Sequence, residues 1–147
     1  MRIRGLILCL LGTSLTLPGC AEPPLVSVAG TVTVRDEPLE GARVLFVPQS
    51  GTPGKGGAGL TNDKGYYQII PLGNPKGKGL PAGTYKVVLN KKMSADGKQL
   101  SPDATKLEAG AEEHVPEPFC DLQKTPLLIT VDAEGKSYDL PLLSGKK

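Results

Sequence analysis

The sequence predicts an all-β domain, an antiparallel β-sandwich of about seven short strands. Three observations predict it. Apolar and polar residues alternate in short runs, the period of a strand with one buried face. Glycine and proline, 19 and 14 of the 147 residues, fall between those runs and not through them. That placement is the work of turns. No stretch repeats apolar residues at helical spacing over the length of an ordinary amphipathic helix.

The first strand is expected over Val26–Val34. Val26, Val28, Val32 and Val34 share one face, and Ser27, Thr31 and Thr33 share the other. Gly30 sits among the inward residues and marks a bulge or a close approach. Pro38 and Gly41 turn the chain into a strand with Ala42, Val44 and Phe46 inward, ended by Pro48, which has no N–H to donate. Residues 49–57 form a Gly/Pro loop. A short strand follows at Ala58–Thr61. Asn62, Asp63 and Gly65 supply a turn, since Asn and Asp bond their own backbone and Gly accepts positive φ. Tyr66–Ile70 is the next strand, with one of Tyr66 and Tyr67 facing outward.

A second Gly/Pro loop spans residues 71–83 and carries Lys76 and Lys78. Thr84–Asn90 alternates again, with Tyr85, Val87 and Leu89 inward. Residues 91–124 break the rhythm. They read as a polar insertion with one helical turn begun by Ser101 and Pro102. Insertions this long are functional or mobile as a rule. Leu127–Val131 resumes the strand pattern, residues 132–135 turn, and Tyr138, Leu140 and Leu142 share the inner face of the closing strand.

The N-terminus follows a different logic. Arg2 and Arg4 precede an almost wholly apolar stretch from Leu6 to Leu17, and Leu17-Pro18-Gly19-Cys20 follows. A basic start, a short apolar run and a small residue at a cut site read as a secretory signal. The apolar run falls short of the roughly 20 residues that span a bilayer. A cysteine directly after the cut site resembles the lipobox of bacterial lipoproteins. That resemblance implies cleavage between Gly19 and Cys20 and an acyl group on Cys20. Residues 1–19 are then a removed signal, 20–25 a lipidated tether, and 26–144 the sandwich with its 91–124 insertion.

Charge and cysteine use narrow the function. The chain has 17 basic and 15 acidic side chains, and loss of Arg2 and Arg4 with the signal leaves the mature chain neutral. A neutral domain lacks the basic face that nucleic acid requires, and it lacks a general attraction to anionic lipid. Cys9 leaves with the signal and Cys20 takes the lipid, so Cys120 has no partner for an internal disulfide. Next to Phe119, and with no base beside it, Cys120 reads as a small core residue and not as a nucleophile.

Several segments together resemble one family. They are Gly30-Thr-Val-Thr-Val34 with Pro38-Leu39, Gly41-Ala42, Val44 and Phe46-Val-Pro48; Thr61-Asn-Asp-Lys-Gly-Tyr-Tyr67; and Leu80-Pro-Ala-Gly-Thr-Tyr-Lys-Val-Val88. They resemble the carboxypeptidase regulatory-like domain, a transthyretin (prealbumin)-like seven-strand sandwich. Val115-Pro-Glu-Pro-Phe119, residues 125–131 and Tyr138–Leu142 resemble the close of such domains in small planctomycete lipoproteins. The likeness spans nearly all of the mature chain and implies a fold. Its matched residues are turn-formers and core faces, which by themselves carry no chemistry.

His114 with Glu112, Glu113 and Glu117 offers a single histidine where transition metals take several His or Cys ligands. Asp36, Glu37 and Glu40, or Asn62 and Asp63, offer fewer oxygens than the six to eight, roughly, that calcium takes. Gly54-Lys-Gly-Gly-Ala-Gly59 fits G-x-G-x-x-G, but a turn and not a helix follows it. No catalytic, metal or cofactor residue is therefore assigned, and the chain is expected not to be an enzyme. The expectation is a lipid-anchored protein on the periplasmic or outer-membrane face of a bacterial envelope. It meets the membrane through Cys20, binds no nucleic acid, and makes structural or accessory contacts with an envelope protein. The alternative is a module that binds carbohydrate or calcium through loops 49–57, 71–83 and 91–124.

Overall fold

The computed structural model describes Gly19 and residues 21–105 and 110–143. The signal segment and Cys20 lie outside the described residues. Within them the chain is all-β, with thirteen strand segments and no helix. These are β1 (Leu25–Val26), β2 (Ala29–Val34), β3 (Glu37–Pro38), β4 (Arg43–Pro48), β5 (Gly57–Leu60), β6 (Tyr66–Gln68), β7 (Ile70–Pro71), β8 (Leu80–Pro81), β9 (Gly83–Asn90), β10 (Lys92–Met93), β11 (Glu112–Glu113), β12 (Leu128–Val131) and β13 (Leu140–Leu142).

Two larger sheets enclose one core. The first is antiparallel in the order β12-β9-β4-β5-β7. The second is built on β2, with β13 on one side and β3 and β6 in tandem on the other. Two short pairs, β1 with β8 and β10 with β11, sit beyond them. The expected alternation fills the core. Val28, Val32, Ala42, Val44, Phe46, Tyr85, Val87 and Leu89 are all fully buried. The Phe46 ring lies 6.2 Å from that of Tyr67 and 6.0 Å from that of Tyr85, tilted against both. Such tilted contacts suit the quadrupoles of aromatic rings.

Both buried phenols are satisfied. Tyr67 Oη donates to the Tyr138 carbonyl at 2.6 Å, and Tyr85 Oη donates to the Pro81 carbonyl at 2.8 Å. Burial raises the pKa of each. Gly30 brings β2 against the backbone of Tyr138, where a Cβ would fall 2.2 Å from the carbonyl oxygen.

The seven uninterrupted strands of the sequence reading are subdivided here. The first breaks at Ser27–Val28 into β1 and β2, and Tyr66–Ile70 breaks at Ile69 into β6 and β7. Ile69 is the crossing point. Its N–H donates to Val28 O at 2.9 Å, its carbonyl accepts from Gly79 N at 2.9 Å, and its side chain is fully buried. The residues before it pair with β2 and those after it with β5. One strand thus serves both sheets. A second departure is that β13 lies parallel to β2, so the sandwich is not wholly antiparallel. The turn after β12 returns the chain to the end at which β2 begins, and both strands then run the same way.

The 91–124 insertion differs most from expectation. It supplies Val115, 3% exposed, to the core, with Phe119 and Cys120 packed against it. Leu89 N donates to Phe119 O at 3.0 Å, Val87 N to Leu127 O at 2.9 Å, and Thr125 Oγ1 to Val87 O at 2.8 Å. The second half of the insertion therefore runs beside β9. At Ser101–Pro102 there is a single turn closed by Ala104 N to Ser101 O, not a helical turn.

Candidate functional site

Strand register divides the long loops between two ends. Pro48 stands opposite Tyr85 and Gly57 opposite Pro71, so loops 49–57 and 71–83 leave from one end. Arg43 stands opposite Asn90, so the 91–124 insertion leaves from the other. The three loops proposed to present one ligand do not share a rim.

The tether joins the first end. Leu25 pairs with Pro81 and Val26 with Leu80. Between tether and loops lies an open cleft of about 310 Å³, lined by Glu22, Leu25, Lys55, Leu72, Asn74 and Pro81 among others. Leu25 is 40% exposed and Leu72 43%. Lys55, Lys76 and Lys78 are exposed, and among the described residues none is paired with a carboxylate. Loops 49–57 and 71–83 contain no acidic residue.

Close backbone approach holds this end. At Gly79, φ is +88° and a Cβ would fall 1.8 Å from Val26 O. At Gly56, φ is +80° and a Cβ would fall 2.1 Å from Phe46 O. The G-x-G-x-x-G match is thus a turn feeding β5, whose glycines make room for neighbouring backbone. Thr52 adds a side-chain tie: its Oγ1 accepts from Thr84 N at 2.9 Å and donates to Thr84 O at 3.0 Å.

The opposite end is stitched by side chains. Glu113 Oε1 accepts from Lys91 N at 2.7 Å and from Val115 N at 3.0 Å, and its Oε2 accepts from Asn90 Nδ2 at 3.3 Å. Gln99 Nε2 donates to Gly41 O at 2.6 Å, and Arg43 stands 3.7 Å from Asp103. His114 is exposed and does not join this cluster, although its N–H donates to Lys91 O at 2.8 Å. Among the described residues no three His, Cys, Asp or Glu side chains converge.

The other sequence candidates have local duties. Asn62 Oδ1 accepts from Lys64 N at 3.0 Å and from Tyr66 N at 2.9 Å, closing the turn. Arg35 and Asp36, at φ 51° and 67°, make the two-residue hairpin between β2 and β3. That turn geometry favours Asn-Gly. Cys120 is half-buried, and burial, followed by the charge of Glu113, raises its thiol pKa. Raised pKa means less thiolate and a poorer nucleophile. Gly19 is exposed, and Cys20 lies outside the described residues.

Two structural ties are not legible in the sequence. One is the Glu113 clamp. The other is Asp139, whose Oδ1 accepts from Thr31 N and Thr31 Oγ1, each at 2.9 Å, and from Ser137 Oγ at 3.1 Å. Alternation from Tyr138 places Asp139 on the outer face, but nothing in the sequence named Thr31 as its partner.

The fold and this cleft define an all-β, sandwich-like protein with exposed leucines and three lysines at one end. No protein-family model matches the chain, and no curated protein does. Among solved structures it is similar to a 9R-lipoxygenase from Cyanothece PCC8801, at 18% identity and a TM-score of 0.37. The match covers 90% of this chain and 18% of that one, so the chain spans under a fifth of the enzyme's length. The expectation that the chain is not an enzyme is withdrawn beside this finding. A likeness that distant carries no argument for an activity. The chain is assigned neither an activity nor the lack of one.

Proposed function

We propose that this chain is a bacterial lipoprotein: a signal over residues 1–19 is removed, Cys20 is acylated, and a carboxypeptidase regulatory-like, transthyretin-like sandwich is held at an envelope membrane, where it contacts another envelope protein. The observation that carries the reading is the run Arg2, Arg4, Leu6–Leu17 and Gly19-Cys20. Among the described residues the core cluster runs from Val28 to Leu142, within the span assigned to the sandwich. Among the described residues no helix is long and apolar enough to cross a membrane. Acyl chains supply such an anchor, since each buried CH₂ contributes about 0.8 kcal/mol.

The test is the mass of the N-terminal peptide from protein purified out of membranes. An acylated peptide beginning at Cys20 is expected. An unmodified Cys20, or a peptide retaining Arg2 and Arg4, overturns the reading. The contact itself is tested by in-cell crosslinking from the exposed lysines, with reproducible links to one envelope protein expected.

A further inference from the structure

The mature chain is neutral as a whole, yet two of its loops are purely basic. Loops 49–57 and 71–83 carry Lys55, Lys76 and Lys78 and no carboxylate. All three lysines are exposed, and the loops that carry them leave from the end that the tether joins. Leu25 and Leu72 are exposed at the same place and line one cleft with Lys55. Two carboxylates share this end: Glu22 lines the cleft, and Glu134 stands beside Leu25 and Val26 in the adjoining groove. Apolar side chains flanked by lysines are the composition of a surface that rests at the boundary of headgroups and acyl chains.

Tether length selects what covers this surface. Four residues separate Cys20 from Leu25, a reach of about 18 Å over five Cα steps when fully extended. Glu22, Pro23 and Leu25 already lie along the cleft wall. An acyl group at Cys20 therefore holds this end, and not the insertion end, beside the bilayer. Screening at physiological ionic strength acts over about 8 Å. The lysines thus contribute once the end has come down onto the surface, which the short tether permits.

We infer that the tether end docks on an anionic lipid surface, with Leu25 and Leu72 at the headgroup level and Lys55, Lys76 and Lys78 facing lipid phosphates. This inference rests on the lipoprotein reading. It adds an orientation: the insertion end points away from the membrane and is left free for contacts with protein.

The chain contains no tryptophan, so a single introduced one reports its own depth. The full chain is purified from membranes as the Leu72→Trp and Leu60→Trp proteins; Leu60 is 61% exposed and pairs with Arg43 at the opposite end. Each is reconstituted in brominated phosphatidylcholine vesicles, with or without phosphatidylglycerol. Emission from the Leu72→Trp protein is expected to be quenched several-fold more than that from the Leu60→Trp protein, and more with phosphatidylglycerol than without. Lys→Gln changes at 55, 76 and 78 are expected to lower the docked fraction relative to the undocked by about fivefold for each lysine removed. Equal quenching at the two positions, or quenching indifferent to phosphatidylglycerol and to the lysines, overturns the docking. The N-terminal peptide mass of the same sample is read separately. An acyl-free peptide overturns the lipoprotein reading, while the quenching pair still decides the docking.

Discussion

The two ends of the sandwich are held by different means. At the tether end, glycines let backbone approach backbone, as at Gly79 beneath Val26, and the side chains of Leu25, Leu72 and three lysines are left outward. At the insertion end, Glu113, Gln99 and Arg43 tie the chain down, and Val115 enters the core. Loop length is therefore a poor guide to role in this protein. The longest irregular stretch is a structural brace along β9, and the two shorter loops carry three exposed lysines without ion pairs among the described residues.

The comparison breaks most visibly at Gly79. The change Gly79→Ala sets a Cβ against Val26 O at a φ of +88°. It is expected to cost about 3–4 kcal/mol in urea unfolding. The matched change at the insertion end is Gly97→Ala, where φ is +80° but nothing lies within 4 Å. Only the left-handed backbone is strained there, at about 1 kcal/mol. Equal losses would mean that close approach does not hold the tether end.

Next in size is Glu113→Ala, which strips acceptors from the N–H groups of Lys91 and Val115. A loss of about 2–3 kcal/mol is expected, because half-buried donors are left unmet. Amide exchange at those two residues should speed up, while that of Thr84, bonded to Thr52, stays slow. Unchanged protection at Lys91 would remove the side-chain stitching from the comparison.

The hairpin at the insertion end offers a gain. Asn at Arg35 and Gly at Asp36 suit the two positive φ angles that β2–β3 requires. The double change Arg35→Asn, Asp36→Gly is expected to raise stability by about 1 kcal/mol, seen as a higher urea midpoint.

The smallest effect belongs to neither end. Thr31 N–H, and then its hydroxyl, hold the Asp139 carboxyl below the usual carboxylate range. A depressed folded value means that the stabilisation is complete above the ordinary pKa of about 3.9 and is lost as pH falls through the folded one. Asp139 is exposed, so Asp139→Asn is expected to cost about 1 kcal/mol at neutral pH. Thermal unfolding should show the two proteins converging below about pH 4. A gap that persists in acid would assign the effect to packing.

Much of the fold was legible from alternation. Val28, Val32, Val44, Phe46, Tyr85, Val87 and Leu89 are buried because each sits on the inner face that a period of two assigns. The turn at Asn62–Gly65 was legible because its bonds are local. The break at Ile69 was not. An inward residue reads the same whether its strand stays in one sheet or crosses to another. The cleft was legible only in part: both Gly/Pro loops stood out, but nothing in them says that they meet, or that the tether meets them.

The sequence by itself determined which faces are buried and where the chain turns. Those properties depend on residues a few positions apart, and local patterns carry them. Tertiary structure alone decided the parallel pairing of β13 with β2, the recruitment of Val115 and Glu113 into the frame, and the gathering of Leu25, Lys55 and Leu72 at one end. Each joins residues distant in the chain, and the contact that defines it exists only after the sheets have closed over their core.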